Sequence, residues 1–426
     1  HRVKLSPLSL EGIERLNVNS QFRAKDIYNV TGGNPFFVTE LVASSETDVN
    51  TAPSSVREAV NARLAGVGPV ERQFLEFISL IPGTVDRKII DAIFGESVET
   101  VVSGCIDQGL LKRDGDGALR FRHELARLAT ASRVPSIKAK ENHGSILQAL
   151  LKLEPLPLDK IVHHASGALD AEAVLSYAPE AAAAAAAVGS HREAASHLST
   201  ALEFVSEADP ENAARLYENW AYEAGIALRI DDDVIEARRH AITLWRALGR
   251  KDKVGENLRR LSRLHWYRGE AAKAAQYSDE AVRILEDEGP SEETAMAYSM
   301  RSQLHMLNDR MDQSIEWGQK ALKMAAEFKS DVVTVHALNN IGTAKLFRGN
   351  RDGLNEMEAS LSIAKAGGFH EDVARVYTNL SEYAVEFKEF ELAERILSEG
   401  IAFDTEHDLD SWTYYLVCRQ EQLRIE

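Results

Sequence analysis

Arg259 and Arg263 stand four residues apart, one turn of a helix, and two guanidinium groups so spaced can grip a carboxylate or an acidic peptide segment through bidentate hydrogen bonds. The other reactive side chains fall into less productive patterns. His163 and His164 are adjacent rather than one turn apart, so both rings are not expected to face one metal from a helix, and a structural role is assigned to them. His191 and His197 lack Cys or carboxylate ligands at helical spacing, which argues against a metal there as well. Asp231-Asp232-Asp233 reads as a helix start, where negative charge complements the dipole. No serine or cysteine sits in a G-x-S-x-G context. A phosphate-cradling loop requires G-x-x-x-x-G-K-[ST], whose backbone amides and lysine converge on the phosphates, and no Gly-Lys dipeptide occurs anywhere in the chain. Neither a catalytic constellation nor a metal site is expected.

Composition narrows the classes further. At 426 residues the chain should hold two to four domains, and a 44% hydrophobic content is enough to build real cores. Acidic residues outnumber basic ones 66 to 49, and the net charge of −17 repels phosphate backbones and anionic lipid. Cys105 and Cys418 lie too far apart in the chain to make a disulfide framework. No apolar run approaches the ~20 residues of a membrane span. A cytoplasmic, reducing location is expected, with no membrane and no direct nucleic-acid partner. The opening His1-Arg2-Val3 and the closing Ser411–Glu426 read as the middle of a domain and an unpaired first helix, so the chain is expected to be part of a longer protein.

From about Leu158 the sequence reads as helix after helix. Turn signals recur at Arg229, Gly269, Asp309, Gly349 and Lys388-Glu389, about 40 residues apart. On that period Ala241, Ala281, Ala321, Leu361 and Ile401 form one column, and Ala224, Leu264, Leu304, Ala344 and Ala384 another. A third holds Ala227, Tyr267, Leu307, Phe347 and Phe387. Apolar columns kept in register this way are the mark of stacked helix pairs. The stretch Ala337–Ala344, then Gly349, then Ala359–Ala364 resembles a tetratricopeptide repeat, lengthened from 34 residues to about 40. Gly342 should let the two helices of a pair approach closely, and Gly349 suits a turn needing positive φ. In the register that this resemblance implies, the fifth position of each first helix gives Asn219, Arg259, Ser299, Asn339 and Asn379. The ninth gives Glu223, Arg263, Gln303, Thr343 and Tyr383. These ten are expected to form an exposed polar stripe on a concave face that binds a protein, peptide or small-molecule effector.

The first 150 residues differ in character. Glu11–Asn29 reads as a helix, Gly32-Gly33 stops it, and Pro35 can open the next. A further helix should start at Ser54 or Ser55. Helices near Val70–Leu80, Asp86–Phe94 and Ser97–Gln108 precede Leu110–Arg113, the turn Asp114–Gly117 and Ala118–Arg122, a winged-helix order. Glu154–Pro157 reads as a stiff linker. Thr31–Leu41, Arg57–Leu64 and Phe121–Arg127 together resemble the second half of a STAND-class nucleotide switch, nearest to the large ATP-binding regulators of the LuxR type. That resemblance implies a mostly α chain: helical lid (1–68), winged-helix domain (69–153), irregular helical entry (154–207), and an α-solenoid of tetratricopeptide-like pairs (208–426). It implies nucleotide-sensing roles for Gly33 and Pro35 of the lid motif, and for His123, where only the histidine and an acidic third position match the family. On residue chemistry alone Pro35 is equally a helix start and His123 a capping or core histidine. ATP or ADP is expected only with the missing P-loop core, so no cofactor and no enzymatic activity are expected of this chain. The helix near Ser97–Gly109 carries Glu99 and Asp107 and no Lys or Arg, which argues against DNA reading by this winged helix. The expected function is the regulatory, effector-binding part of a STAND-type transcriptional regulator. The alternative is a repeat scaffold attached to another effector such as a cyclase or kinase, and a third reading is a stand-alone adaptor.

Overall fold

The computed structural model describes residues 7–16, 22–43, 58, 64, 66–95, 98–115, 117–227, 230–407 and 409–425. The chain divides into two compact units, His1–Tyr177 and Ala178–Glu426. The division falls inside helix Ala171–Ala187, within the segment expected to be an irregular entry. The architecture is mostly α, and the described residues contain one two-stranded sheet. Among them no helix is long and apolar enough to cross a membrane.

The first unit opens with short helices Leu10–Leu16, Ala24–Thr31 and Pro35–Ala43. The single helix expected over Glu11–Asn29 is therefore broken: Arg23 is extended (φ −74°, ψ 142°) and starts a new helix. The helix expected from Ser54 or Ser55 lies outside the described residues, as does nearly all of Arg57–Leu64. Three helices follow, Pro69–Ser79, Arg87–Phe94 and Glu99–Asp107, and then the strands Leu111–Arg113 and Leu119–Phe121. The strands pair antiparallel with Leu111 opposite Phe121, and Gly117 turns between them at φ +86°. Val85 adds a bridge to Leu119, so the order of three helices and a hairpin is present as read from the sequence. Glu99, the acid on the third helix, is held by Arg87 and Arg113 inside the same domain. Helices Glu124–Ala131, Ser136–Leu150 and Leu158–Gly167 complete this unit up to helix Ala171–Ala187.

The second unit is largely an alternation of first and second helices. The first helices are Pro210–Ile226, Lys251–Tyr267, Glu292–Met306, Asp331–Phe347 and His370–Glu386. The second helices are Asp232–Ala247, Ala271–Glu288, Met311–Phe328, Gly353–Gly367 and Phe390–Glu406, and Asp410–Ile425 packs on the last pair. N-caps start several of them: Asp209, Asp231, Ser291 and Ser330 each accept a backbone N–H one turn in. The turns that close each pair sit in the left-handed region at Gly269, Asp309, Gly349 and Lys388, with Arg229 outside the described residues. The last step is thus one residue shorter than the two before it, since the turn is Lys388 and not Glu389.

Small residues decide how close the helices of a pair come. Ser262 donates from Oγ to the Ala274 carbonyl at 2.6 Å, and Ser302 to the Ser314 carbonyl at 2.7 Å. At the same place in the next pair, a Cβ on Gly342 would lie 2.8 Å from the Gly353 carbonyl oxygen, and one on Gly353 would lie 2.4 Å from that of Gly342. Ala241, Ala281 and Ala321 are buried as the sequence columns suggest. In the last two pairs the buried residues are Ser360 and Gly400, and the expected Leu361 and Ile401 sit half-buried one position on.

Two stability predictions follow from this packing. Gly353→Ala puts a methyl against backbone that cannot swing aside, so urea unfolding should show a loss of about 1–3 kcal/mol or more; a change within 0.5 kcal/mol, taken as roughly the surface-substitution range, contradicts the close crossing. Asp404 is fully buried with neither carboxylate oxygen hydrogen-bonded, and burial raises its pKa to about 7 against the pull of His407. A carboxyl whose folded pKa lies above its unfolded value favours folding when protonated, and that stability is lost as pH rises through the folded pKa. Asp404→Asn should therefore stabilise the protein at pH 8 by roughly 1–3 kcal/mol and leave it unchanged at pH 4. Equal effects at both pH values contradict this.

Candidate functional site

The second unit encloses a groove of about 1720 Å³ lined largely by its first helices. Tyr222 on the first of these donates to Glu371 on the fifth at 3.0 Å, so the array curls far enough for its ends to touch across the groove. The Tyr222 phenol ring carries the Arg260 guanidinium 4.8 Å from its centroid.

Arginines dominate the wall. Arg238 is 2% exposed and donates to Asn257, which in turn donates to Glu218. Burial lowers its pKa to about 9, with Arg260 pushing the same way and Glu218 and Glu256 opposing. Burial opposes ionisation of Glu256, but Arg260, Lys253 and Arg259 outweigh it and hold its carboxyl down to about 2. Arg259 meets Glu293 at 3.7 Å, and Arg375 meets Asp372 at 3.0 Å. Burial raises the pKa of both acids against the attraction of these arginines.

Arg263 differs from its neighbours. Its guanidinium lies 4.6 Å from the Trp266 ring and 4.3 Å from the Tyr267 ring, and Nη2 donates to the Tyr267 hydroxyl at 3.0 Å. Its Nη1 is buried without a hydrogen-bond partner, and among the described residues no carboxylate pairs with it. The Nε atoms of Arg238, Arg259 and Arg375 and the Thr378 hydroxyl are also buried and unpartnered. His336 sits among Arg375, Arg259 and Arg263; burial first and then their charge hold it neutral, well below its usual range. It pairs with the Ser299 hydroxyl at 2.7 Å. Cationic groups with unmet donors beside a groove are suited to an anionic ligand.

The ten residues of the expected stripe divide. Arg259, Arg263, Gln303, Thr343 and Asn379 line the groove. Asn219 is exposed elsewhere, and Glu223 accepts from His191 at 2.8 Å. Ser299 and Asn339 are buried, Asn339 accepting from Asn379 at 3.0 Å, and Tyr383 is 4% exposed and donates to Glu389. The stripe is not a uniformly exposed surface, because neighbouring first helices press together and hydrogen-bond across it. The short last step also shifts the register: Thr378 lines the groove beside Asn379, and Glu382 lines it in the place assigned to Tyr383. The sequence reading missed Arg375, His336 and the stacking pair Trp266 and Tyr267. Arg375, His336, Met296 and Glu256 form one groove-lining column once that step is counted as 39 residues.

In the first unit the lid motif and His123 come together. Gly33 is left-handed (φ +73°), and its carbonyl accepts the Leu8 N–H at 2.7 Å. A Cβ at Gly33 would lie 2.4 Å from the Leu8 oxygen. Pro35 is exposed at the first turn of its helix. Asn34 Nδ2 lies 3.4 Å from His123 Nε2, and the Phe37 ring lies edge-on to the imidazole at 4.9 Å. His123 is the N-cap residue of helix Glu124–Ala131, but its side chain makes no capping bond. The adjacent pair His163 and His164 also departs from expectation: His143 on the preceding helix joins them, and one ligand atom from each ring lies within 4.8 Å of the others.

No family model matches the chain. None of the curated proteins matches it. Solved structures similar to it include a STAND protein with a tetratricopeptide repeat sensor from Pyrococcus horikoshii, at 15% identity and TM-score 0.43 over 97% of this chain and 62% of that one. The chain thus spans less than two thirds of that protein. A Rap protein complexed with competence and sporulation factor aligns at 12% identity and TM-score 0.45, covering 86% of this chain and 98% of that one. Aspartyl phosphate phosphatase F from Bacillus subtilis aligns at 15% identity and TM-score 0.40, covering 68% and 74%.

Proposed function

We propose that this chain is the effector-sensing portion of a STAND-type signal-transducing ATPase that regulates transcription, and that the repeat groove binds an anionic effector, a peptide or a small molecule with a carboxylate. The observation that carries the proposal is Arg263: a guanidinium resting against the Trp266 and Tyr267 rings, with a buried unmet donor, beside a groove of about 1720 Å³. A guanidinium without a carboxylate in so confined a place is costly unless a ligand completes it. Trp266, Tyr267 and Phe347 supply apolar contact beside it, as a mixed polar and apolar peptide requires. The pairing of Asn34 with His123 supports a nucleotide-sensing junction of Gly33, Pro35 and His123 in the first unit. ATP or ADP would act there only with a P-loop core, so this chain by itself neither hydrolyses nucleotide nor binds DNA.

Arg259→Ala with Arg263→Ala tests the groove. Tryptophan fluorescence titration of the purified chain with a library of short acidic peptides should find a binder that quenches or enhances emission. The double variant should weaken that binder at least ~10-fold, since charge-assisted bonds contribute roughly 1.5–3 kcal/mol each. The double variant should stay folded while its unfolding free energy falls by roughly 1–3 kcal/mol, because Glu293 loses its partner and the Arg263 contacts with Trp266 and Tyr267 go. Undiminished binding by the double variant overturns the assignment.

A further inference from the structure

We propose that His143, His163 and His164 form a site for a zinc-class divalent transition-metal ion that staples helix Ser136–Leu150 to helix Leu158–Gly167. The three rings come from both sides of one helical hairpin. His143 Nδ1 and His164 Nδ1 are 2.9 Å apart, and one nitrogen of each of the three rings lies within 4.8 Å of the others. Two bonds of ~2.0–2.1 Å to one tetrahedral ion put their nitrogens about 3.3 Å apart, so the observed spacing needs only small ring rotations to close on a metal.

The surroundings hold the rings in place. His163 Nε2 lies 3.2 Å from the Leu80 carbonyl, which puts the proton on Nε2 and leaves a lone pair on Nδ1. A carbonyl on the far nitrogen is the usual outer partner of a metal-bound histidine. Gly167 makes room for His143: a Cβ there would lie 2.6 Å from its ring, so any other residue would push the imidazole away from His164. No thiolate is in the set, since Cys105 is buried against the Glu71 carbonyl. The cations nearby are already engaged. Arg127 pairs with Glu124, and Lys160 donates to the Thr84 carbonyl. His164 is fully buried while His163 is exposed, so the site is closed on one side and open to water on the other. Three imidazoles and a water are a known donor set for Zn²⁺, and a set of nitrogen donors without a carboxylate ligand among the described residues disfavours hard, oxygen-seeking cations such as Mg²⁺ and Ca²⁺.

The adjacency of His163 and His164 does not prevent this. Adjacent side chains diverge by about 100° around one helix, but a third ring from the partner helix lies over both, with centroids 4.9 Å from His164 and 5.5 Å from His163. The hairpin, not the single helix, makes the ligand set. The inference is independent of the repeat groove.

Cobalt titration of the metal-stripped chain tests it. One equivalent of Co²⁺ should bind with the visible absorption of a tetrahedral ion, be displaced by Zn²⁺, and raise the melting temperature, because the ion binds only the folded hairpin. His163→Ala removes an exposed ligand without opening the core and should weaken binding at least ~10-fold, by comparison with the 10–100-fold cost of losing even an outer partner. His143→Ala should abolish the absorption. Failure to bind one equivalent at micromolar Co²⁺ overturns the site. So does one-equivalent binding that both variants leave intact, which would assign the metal to other histidines.

Discussion

The close crossing of the two helices within each repeat is the constraint on which the rest of the second unit depends. At Ser262, Ser302, Gly342 and Ser381 the first helix offers nothing larger than a hydroxymethyl, and all four are buried. The hydroxyls of Ser262 and Ser302 spend their bond on a carbonyl of the partner helix, while Gly342 and Gly353 bring backbone to backbone. Pairs packed this tightly on one edge must open on the other, and stacking several of them bends the array. The bend is what lets Tyr222 reach Glu371, 149 residues away, and what turns the far ends of the first helices into a groove wall.

Much of this was legible in the sequence, because helix pairs of nearly constant length print a period. The turn residues Gly269, Asp309 and Gly349 were placed correctly, and all have the positive φ that the turn needs. Two of the turns use Asp309 and Lys388, at some cost in strain, so the position is marked by its spacing and not by glycine alone. The register failed at the last step, where 39 residues replace 40. Period arithmetic assigns Asn379 and Tyr383 to the groove, while the backbone turns at Lys388 and puts Thr378 beside Asn379 and Glu382 in place of Tyr383 there. A one-residue slip rotates a helix by about 100°, enough to exchange wall for core. The apolar column Tyr267, Leu307 and Phe347 misled in the opposite sense: it reads as core and lines the groove. Hydrophobicity records a preference for contact without saying whether the contact is the protein itself.

The site chemistry was less legible, because it is assembled across repeats. Arg259 and Arg263 are visible as a pair one turn apart, yet what distinguishes them is three-dimensional. Arg259 finds Glu293 on the next first helix, and Arg263 finds only aromatic faces and a phenol. Arg375 arrives from two helices further on, and His336 is caught between all three. No window of sequence short enough to be read as a motif contains these groups. The three histidines of the first unit teach the same lesson at shorter range, since His143 is 21 residues from His164 and meets it only because a hairpin folds between them.

The electrostatics of the groove explain why a chain of net charge −17 can hold an anion site. Surface acids are screened within about 8–10 Å by salt, whereas Arg259 acts on Arg238, Arg375 on Arg263, and Arg375, Arg259 and Arg263 on His336 through a partly dry interior. Local geometry therefore outweighs the overall balance. Burial lowers the Arg259 pKa and raises those of Glu293 and Asp372, against the mutual attraction of Arg259 with Glu293 and of Arg375 with Asp372. Such a network resists the removal of one member and responds to the addition of one. A carboxylate entering beside Arg263 would meet the donors that the protein leaves open, and it would compete with Glu293 and Asp372 for Arg259 and Arg375. Those two acids lie near the starts of separate first helices, Glu292–Met306 and His370–Glu386. Arg375 and Asp372 share one helix, but Arg259 and Glu293 stand on successive first helices, so an anion that draws Arg259 away from Glu293 alters a contact between repeats, which is the physical route by which occupancy of the groove can change the curvature of the array.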